Sequence, residues 1–181
     1  MYNDIQEVLV SEEEIAKKVK ELGKRISEDY AGENLLLVGV LKGCVVFMSD
    51  LMRAIDIPLS IDFMTVSSYG SNTVSGEVKM LTDLRCDVSQ FHVVFVEDIL
   101  DSGKTLFFLK NMMEKRGAKS VRVCTLLDKP ARRVADIKAD YVGFDIPDSF
   151  VVGYGLDFDE KYRNVRFIGA LKPEKYAHIL G

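Results

Sequence analysis

Two continuous apolar runs limit the folds open to this chain. The first, Leu35 to Leu41, contains only aliphatic residues and Gly39, and the second, Val93 to Val96, is apolar at every position. A strand with no polar position is buried on both faces, which is typical of parallel sheets that helices cover on each side. Because helical patterns alternate with these runs, we predict an α/β fold with a mostly parallel central sheet flanked by helices.

The segments between the runs have helical spacing. A capping-box pattern begins at Ser11, and apolar residues then recur every three or four positions from Ile15 to Ile26. Val45–Ala54 is predicted as a second helix, and Thr105–Arg116, which Gly117 follows, as a third. Further strands are predicted at Ser60–Val66, Val78–Leu84, Val121–Leu127, Tyr141–Phe144 and Val165–Ala170, and a long functional loop at Ser67–Gly76.

The length and the charge of the chain limit its domain organisation and the classes of partner that it can bind. Its 181 residues, taken as a single domain over residues 1–181, can bury a core without disulfides or a structural metal. The formal net charge is −4 and there is no Lys/Arg tract, which argues against a general nucleic-acid binder.

The cysteines and the apolar stretches indicate the compartment. Cys44, Cys86 and Cys124 are widely spaced and form no CxxC pair, so we expect neither a zinc site nor a disulfide framework. The N-terminus carries acidic residues where a signal peptide carries basic ones, and the longest apolar stretch, Leu35 to Met48, is too short and too interrupted to span a membrane. We therefore expect a cytoplasmic protein with no membrane partner.

The segment Val93 to Thr105 carries the chemistry. An apolar strand is predicted to end in Glu97 and Asp98, and the chain then passes Asp101 and turns through Ser-Gly into a helix. Free N–H groups at a helix N-terminus bind anions, and glycine allows close approach. Adjacent carboxylates suit vicinal hydroxyls or a hard cation such as Mg²⁺. A phosphate site beside a diol site indicates a sugar phosphate; the alternative is that the three acids only cap the helix.

A nucleotide-hydrolase P-loop is the competing interpretation of the same segment. Gly103, Lys104 and Thr105 match the end of that motif, but Asp98 stands where its first glycine belongs. A carboxylate there would repel the phosphates, which excludes this interpretation.

With five separate motifs between about Val8 and Leu171, the chain resembles the type I phosphoribosyltransferases, and among them the bacterial hypoxanthine-guanine enzymes. The resemblance implies the fold of that family, with a small hood formed by the terminal segments. It also implies transfer of ribose 5-phosphate from phosphoribosyl pyrophosphate to a 6-oxopurine base in purine salvage, with Mg²⁺ as cofactor. A homodimer or homotetramer is the usual assembly.

The resemblance assigns the ribose and phosphate sites to the central segment. Glu97 and Asp98 would hold the ribose hydroxyls, and Asp101 would exchange a proton with purine N7, unless it only caps the helix. The 5-phosphate would be wrapped by Asp101, Ser102, Gly103, Lys104 and Thr105.

The pyrophosphate site and a flap come from other segments. Leu41, Lys42 and Gly43 would form the pyrophosphate loop, in which the peptide joining Leu41 to Lys42 is often cis. From the residue pattern alone, Lys42 would be a solvated surface lysine. Arg163 would contact the pyrophosphate, Ser68 and Tyr69 would form a flexible flap, and the metal would be held by Glu97, Asp98 and Asp157.

The purine site is the last that the resemblance implies. Lys129 would donate to the 6-oxo group, Phe150 would stack on the base unless it is a core residue, and the main chain near Val151 with Asp157 would read the 2-position. Arg132 and Arg133 are interpreted as a solvated charge cluster. A transferase for xanthine or another base, and a ligand-sensing regulator that binds nucleic acid, are the alternatives.

Overall fold

The computed structural model describes residues 1–68 and 78–177 as two β-sheets and the helices packed against them. In chain order the strands and α-helices are β1 (Ile5–Val10), α1 (Glu12–Asp29), β2 (Leu35–Leu41), α2 (Val45–Ala54), β3 (Leu59–Ser68), β4 (Val78–Thr82), β5 (His92–Leu100), α3 (Lys104–Lys115), β6 (Ser120–Asp128), β7 (Tyr141–Asp145), β8 (Val151–Val152), β9 (Ile168–Leu171) and α4 (Pro173–Tyr176).

The larger sheet has the order β4-β3-β2-β5-β6-β7. All its pairings are parallel except β3 with β4, which is antiparallel. The α/β fold with a mostly parallel central sheet is therefore confirmed. Parallel pairing brings the carboxyl ends of β2, β5 and β6 to one edge of the sheet, where ligands of such folds bind.

Apolar side chains cover both faces of this sheet. Leu35 and Leu37 of β2 pack in one cluster with α1 and α2, whereas Leu36 and Val38 pack in a second cluster with α3. Successive side chains of a strand point to opposite faces, so a strand between two cores must be apolar throughout. This explains the two continuous apolar runs.

The smaller sheet, which we call the hood, joins the two ends of the described chain. Its strands have the order β1-β9-β8 and are antiparallel. The hood formed by terminal segments is confirmed. The sequence patterns predict neither β1, whose middle is exposed, nor β8, which has two residues.

Several predicted boundaries are wrong. β5 does not end in Glu97 and Asp98 as predicted but continues to Leu100, and α3 begins at Lys104, one residue earlier than predicted. Ser67 and Ser68 belong to β3 and pair with β4 rather than opening a loop. The rest of the predicted loop, including Tyr69, lies outside the described residues.

Within residues 1–68 and 78–177, no helix is both long and apolar enough to cross a membrane.

We predict that Gly23→Ala destabilises the protein although alanine is the better helix former. Gly23 lies in α1 where that helix crosses α2, and an added Cβ would lie 2.4 Å from the carbonyl oxygen of Ala54. Helix propensity favours alanine by about 0.8–1 kcal/mol, but overlap with main-chain atoms should cost about 1–3 kcal/mol, for a net loss of up to about 2 kcal/mol. Urea unfolding measures the difference.

Lys17→Ala is the matched control, because Lys17 is exposed on the same helix. Its free energy of unfolding should stay within about 0.5 kcal/mol of the wild type. A Gly23→Ala protein at least as stable as the wild type would contradict the close helix crossing.

Candidate active site

Three of the predicted motifs lie at the same edge of the larger sheet. Lys42 follows β2, Asp101 follows β5 and Lys129 follows β6, each directly after the last residue of its strand. The strands are in parallel register, with Gly39 opposite Val96 and Leu100 opposite Asp128. The structure thus brings the predicted pyrophosphate, phosphate and purine segments together.

Two acidic side chains lie inside β5 rather than beyond its end. Asp98 is 8% exposed and its Oδ1 accepts a hydrogen bond of 2.9 Å from the N–H of Ile99. Glu97 is partly exposed as a residue, but its Oε2 is buried and has no hydrogen-bond partner among the described residues. Because neighbours in a strand point to opposite faces, these two carboxylates approach the site from different sides.

Burial makes both carboxylates hard to ionise. It raises the pKa of Glu97 well above its ordinary value, and the negative charge of Asp98 adds to the effect. Burial likewise raises the pKa of Asp98 to about 6, against the hydrogen bond from Ile99 and the charge of Arg163, which both lower it. Burying an ionised carboxylate costs free energy unless a cation or hydrogen-bond donors lie next to it. This pair therefore indicates a binding site for a ligand that supplies such groups.

The turn from β5 into α3 lines a small cavity. Gly103 is the N-cap residue of α3 with φ of 80°, and no side chain caps the helix there. An added Cβ on Gly103 would lie 2.6 Å from Ile137, so the turn requires glycine. The cavity of about 110 Å³ is lined by Glu97, Ile99, Leu100, Asp101, Ser102, Gly103, Thr105 and Leu106.

The acids of this segment do not cap α3. Glu97 and Asp98 lie in β5, and Oδ1 of Asp101 is buried without a hydrogen-bond partner in the described chain. First-turn N–H groups of a helix have no intrahelical acceptor, so this end of α3 is open to an anion. The capping alternative is wrong, and Asp101 keeps a free acceptor atom beside the cavity. Lys104 is exposed in the first turn.

The predicted pyrophosphate loop packs closely against Asp98. The peptide between Leu41 and Lys42 is cis. A Cβ added to Gly43 would lie 1.9 Å from Oδ2 of Asp98, and one added to Gly155, whose φ is 102°, would lie 2.2 Å from the Gly43 carbonyl oxygen. Only glycines allow these three segments to meet.

Charged side chains from the segment after β8 surround this loop. Arg163 forms an ion pair of 2.8 Å with Asp157 and donates to the Gly155 carbonyl at 2.8 Å, while its Nε is buried and unpaired among the described residues. Glu160 lies 3.0 Å from Nζ of Lys42 and 3.6 Å from Arg163. Lys42, Asp157 and Arg163 are therefore brought together as predicted, with Glu160 joining the two cations.

The predicted purine residues also lie together. Lys129 is 5% exposed and donates a hydrogen bond of 2.8 Å to the carbonyl of Ser149, the neighbour of Phe150. Phe150 is 37% exposed, so it is not a core residue. Tyr176 of α4 stacks on it, with ring centroids 4.8 Å apart and an interplanar angle of 21°. Val151 is buried in β8.

The interpretation of the two arginines after Lys129 is half wrong. Arg132 is exposed and pairs with Asp148 at 2.6 Å, as a solvated residue would. The side chain of Arg133 is only 15% exposed and donates inward to main-chain carbonyls, including that of Asp101 at 2.8 Å. The sequence pattern could not distinguish the two, because both follow the strand in one polar run.

Three residues beside the site have no motif of their own in the sequence. Glu160, Arg133 and Tyr176 reach it only through tertiary contacts. The one available signal was the spacing of Glu160 and Arg163, three residues apart with opposite charge.

The carboxylates at this site suit a metal ion that also takes oxygen ligands from a substrate. Within the described ranges 1–68 and 78–177, no group of three or more His, Cys, Asp or Glu side chains could hold a metal ion alone. Mg²⁺ usually takes one or two carboxylates and completes its shell with phosphates and water. The unpaired Oε2 of Glu97 and the carboxylate of Asp98 suit that role, as does Asp157.

The predicted flap is described only at its start. Ser68 is the last residue of β3, which runs parallel to β2 and therefore ends at the same edge of the sheet. Tyr69 lies outside the described residues, and the flap stays a prediction.

Known proteins are similar to this chain in sequence and in fold. The family model of the phosphoribosyl transferase domain matches residues 6–159. The hypoxanthine-guanine phosphoribosyltransferase of Bacillus subtilis is 55% identical over 177 residues, which are 97% of this chain and 98% of that protein. The bifunctional protein TilS/HprT of Listeria monocytogenes is 55% identical over 98% of this chain, but the chain spans only 28% of that protein's length.

A solved structure agrees with the fold. The crystal structure of a hypoxanthine phosphoribosyltransferase from Staphylococcus aureus superposes with a TM-score of 0.94 and 52% sequence identity, covering 97% of this chain and 96% of that one. The fold, the family model and the sequence identity over nearly the whole chain all agree. The chain therefore belongs to the phosphoribosyltransferase family.

Proposed function

We propose that the protein transfers the 5-phosphoribosyl group of phosphoribosyl pyrophosphate to N9 of hypoxanthine and guanine, releasing pyrophosphate, as a purine-salvage enzyme. The carrying observation is a direct main-chain link between the base end and the phosphate end of the site. The N–H of Lys129 donates to the carbonyl of Leu100 at 3.0 Å, and Leu100 directly precedes Asp101. A base held by Lys129 and a ribose phosphate held after Asp101 would thus share one frame.

Binding of phosphoribosyl pyrophosphate would use groups from several segments that lie together at this edge. The 5-phosphate takes the N–H groups of residues 102–105 with the Ser102 and Thr105 hydroxyls, and the ribose hydroxyls donate to Glu97 and Asp98. The pyrophosphate takes the loop Leu41–Gly43 and Arg163, whose guanidinium presents a planar pair of donors. Glu97, Asp98 and Asp157 would hold Mg²⁺.

The chemistry then requires charge stabilisation and one proton acceptor. The bond between ribose C1 and pyrophosphate loosens first, and N9 captures a ribose with oxocarbenium character. Lys42 and Arg163 stabilise the leaving pyrophosphate, and Mg²⁺, where Glu97, Asp98 and Asp157 hold it, would supply further positive charge there. Asp101, through its unpaired Oδ1, accepts the proton of purine N7. A flap beginning at Ser68 and Tyr69 would keep water from the reacting carbon.

Selection of the base rests on the buried Lys129. Its ammonium is already oriented by the Ser149 carbonyl, and a 6-oxo group offers it a further acceptor. The 6-amino group of adenine would offer only hydrogens and leave a buried donor unpaired. Phe150 adds stacking that any base accepts, with the main chain near Val151 at the base edge.

The proposal also covers the domain extent, the assembly, the compartment and the partners of the protein. We infer one domain over residues 1–181, since β1 pairs with β9, and a homodimer or homotetramer as assembly. The three cysteines are free thiols, which suits the reducing cytoplasm. Nucleic acid and membranes are not among the proposed partners.

A spectrophotometric assay with phosphoribosyl pyrophosphate and Mg²⁺ tests the proposal against four bases. We expect nucleotide from hypoxanthine and guanine and none from adenine, with xanthine measuring discrimination at the 2-position. If hypoxanthine and guanine both give no product, the proposed function is wrong. Omission of Mg²⁺, with chelator present, should abolish turnover.

Asp101→Asn should lower kcat by about 10²–10⁴-fold, the usual contribution of a general base, because the amide keeps the shape but cannot accept the N7 proton. The dissociation constant for the nucleotide product, measured by calorimetry, should change far less than kcat. Asp56→Asn, at an exposed position outside the site, is the control. Unchanged turnover in Asp101→Asn would remove Asp101 from the mechanism.

Glu160→Gln should tighten the binding of magnesium pyrophosphate. The Glu160 carboxylate occupies Lys42 and lies near Arg163, so an incoming pyrophosphate must replace it. Exposed ion pairs are worth about 0.2–1 kcal/mol, which corresponds to a decrease of about 1.5- to 5-fold in the dissociation constant measured by calorimetry.

Asp159→Asn is the matched control for this variant. It removes the same charge one residue away, and Asp159 pairs with Lys161 instead. Equal gains in both variants would mean that only net charge matters and that the Glu160 contact does not compete with pyrophosphate.

A further inference from the structure

The side chain of Arg133 holds the main chain of the phosphate loop from behind. Its Nε donates to the Asp101 carbonyl at 2.8 Å, its Nη1 to the Ile137 carbonyl at 2.8 Å and its Nη2 to the Leu100 carbonyl at 3.1 Å. Nη2 also bonds to Oδ1 of Asp128. Two of the three carbonyls belong to the turn that leads from β5 into the cavity.

Neighbours of Arg133 extend this clamp to the next peptide. The N–H groups of Val134 and Ala135 both donate to the carbonyl of Ser102, at 3.0 and 3.1 Å. Gly103 faces the arginine stem, because an added Cβ there would lie 2.9 Å from Cδ of Arg133. The carbonyls of residues 100, 101 and 102 therefore all bond to the segment that follows β6.

This arrangement fixes the direction of the phosphate-binding amides. In a trans peptide the C=O and the following N–H point in opposite directions. Since the carbonyls of Asp101 and Ser102 are held toward Arg133 and its neighbours, the N–H groups of Ser102 and Gly103 are turned away from them. Both residues line the cavity that would take the 5-phosphate. A donor that is already oriented costs no reorganisation when the ligand binds.

The chemistry of the guanidinium explains why an arginine occupies this position. Its five N–H donors lie in one plane and reach separate acceptors, whereas a lysine ammonium places all its donors on one atom. Arg133 and Asp128 are both largely buried, with exposed fractions of 15% and 16%. Burying such an ion pair adds little to the free energy of unfolding. Orientation of the main chain after β5 therefore accounts for this pair better than stabilisation of the fold does.

We infer that Arg133 is a positioning residue, which sets the Asp101 main chain and the 5-phosphate amides through hydrogen bonds to the carbonyls of residues 100 and 101. It touches no substrate itself. The inference rests on the proposed function. Lys129 has its own hydrogen bonds to the carbonyls of Leu100 and Ser149, so the purine site does not depend on Arg133 in the same way.

Arg133→Lys tests the inference, because it keeps the positive charge beside Asp128 but cannot bond to all the carbonyls. Small misplacements of reacting groups cost up to about 10²-fold, so we expect kcat to fall about 10- to 100-fold. The KM for phosphoribosyl pyrophosphate should rise several-fold, while the KM for hypoxanthine should stay within about twofold. Ribose 5-phosphate, used as a binding probe in calorimetry, should bind several-fold more weakly.

Arg116→Lys is the matched control. Arg116 makes a two-point contact with Asp83 at 2.8 and 2.6 Å, away from the proposed site, so the same chemical change should leave kcat and both KM values unaltered. A double variant, Arg133→Met with Asp128→Asn, removes both charges and leaves no buried ion unpaired. It should show the same rise in the KM for phosphoribosyl pyrophosphate, and it carries the comparison if Arg133→Lys does not fold.

The outcomes separate positioning from a purely structural role. A structural role would lower the melting temperature and the folded fraction, and kcat would fall in proportion with both KM values unchanged. That result, or kinetic constants and ribose 5-phosphate affinity within twofold of the wild type in a folded variant, would overturn the inference. An inactive wild type would instead refute the proposed function, and ribose 5-phosphate binding would still test Arg133.

Discussion

The pairing of β5 with parallel neighbours on both sides is the constraint on which the site depends. Val94 and Val96 of β5 point into the core that α1 and α2 cover, and Val93 and Phe95 point into the core beneath α3. A shift of one residue in this register would exchange the two faces. Because the strand continues through Glu97 and Asp98, its apolar half anchors its charged half. The hydrophobic cores thus determine where the carboxylates of the site emerge.

Charge within the site is arranged in two zones. Around β5 and the turn into α3, the buried oxygens of Glu97 and Asp101 lack partners within the described residues. Around the loop after β2, Lys42 and Arg163 are already paired with acids. In the first zone a ligand would supply partners for the unpaired carboxylate oxygens. In the second zone a pyrophosphate would replace the acidic side chains that now pair with Lys42 and Arg163. Under the proposed function the acids of the site would face hydroxyls and a cation, so a net charge of −4 is compatible with an anionic substrate.

Much of this arrangement could be predicted, and the exceptions have physical causes. Continuous apolar runs identify buried strands, and Gly103 identifies the turn into an uncapped helix N-terminus, because both signals are local in sequence. The sequence predicts the end of β5 too early because polar residues normally mark the end of a buried strand, and nothing in the sequence shows that Glu97 faces a cavity. Arg133 and Arg132 are adjacent and chemically identical, and only the surrounding carbonyls make one of them a buried residue.

The hood strands show the same limit. β8 has two residues and exists because Val151 and Val152 pair with β9, so no local pattern announces it. The roles predicted for Lys42, Lys129 and Phe150 rest on the family resemblance. A single sequence does not show that Lys42 and Phe150 are exposed and that Lys129 is buried. Lys42 and Lys129 meet at one edge of the larger sheet because of its topology, which local spacing does not contain.

The contact between Gly155 and Gly43 has a structural consequence. Gly155 follows β8 of the hood, and its α-carbon lies so near the Gly43 carbonyl that no side chain fits between them. Gly43 in turn lies against the carboxylate of Asp98. At this contact the hood meets the loop after β2 through main-chain atoms, whereas elsewhere apolar side chains of the hood pack in the core beside the larger sheet. Phe150 directly precedes β8 and Lys42 directly precedes Gly43, so this contact joins the segment of the aromatic ring to the segment of the lysine with no side chain between them.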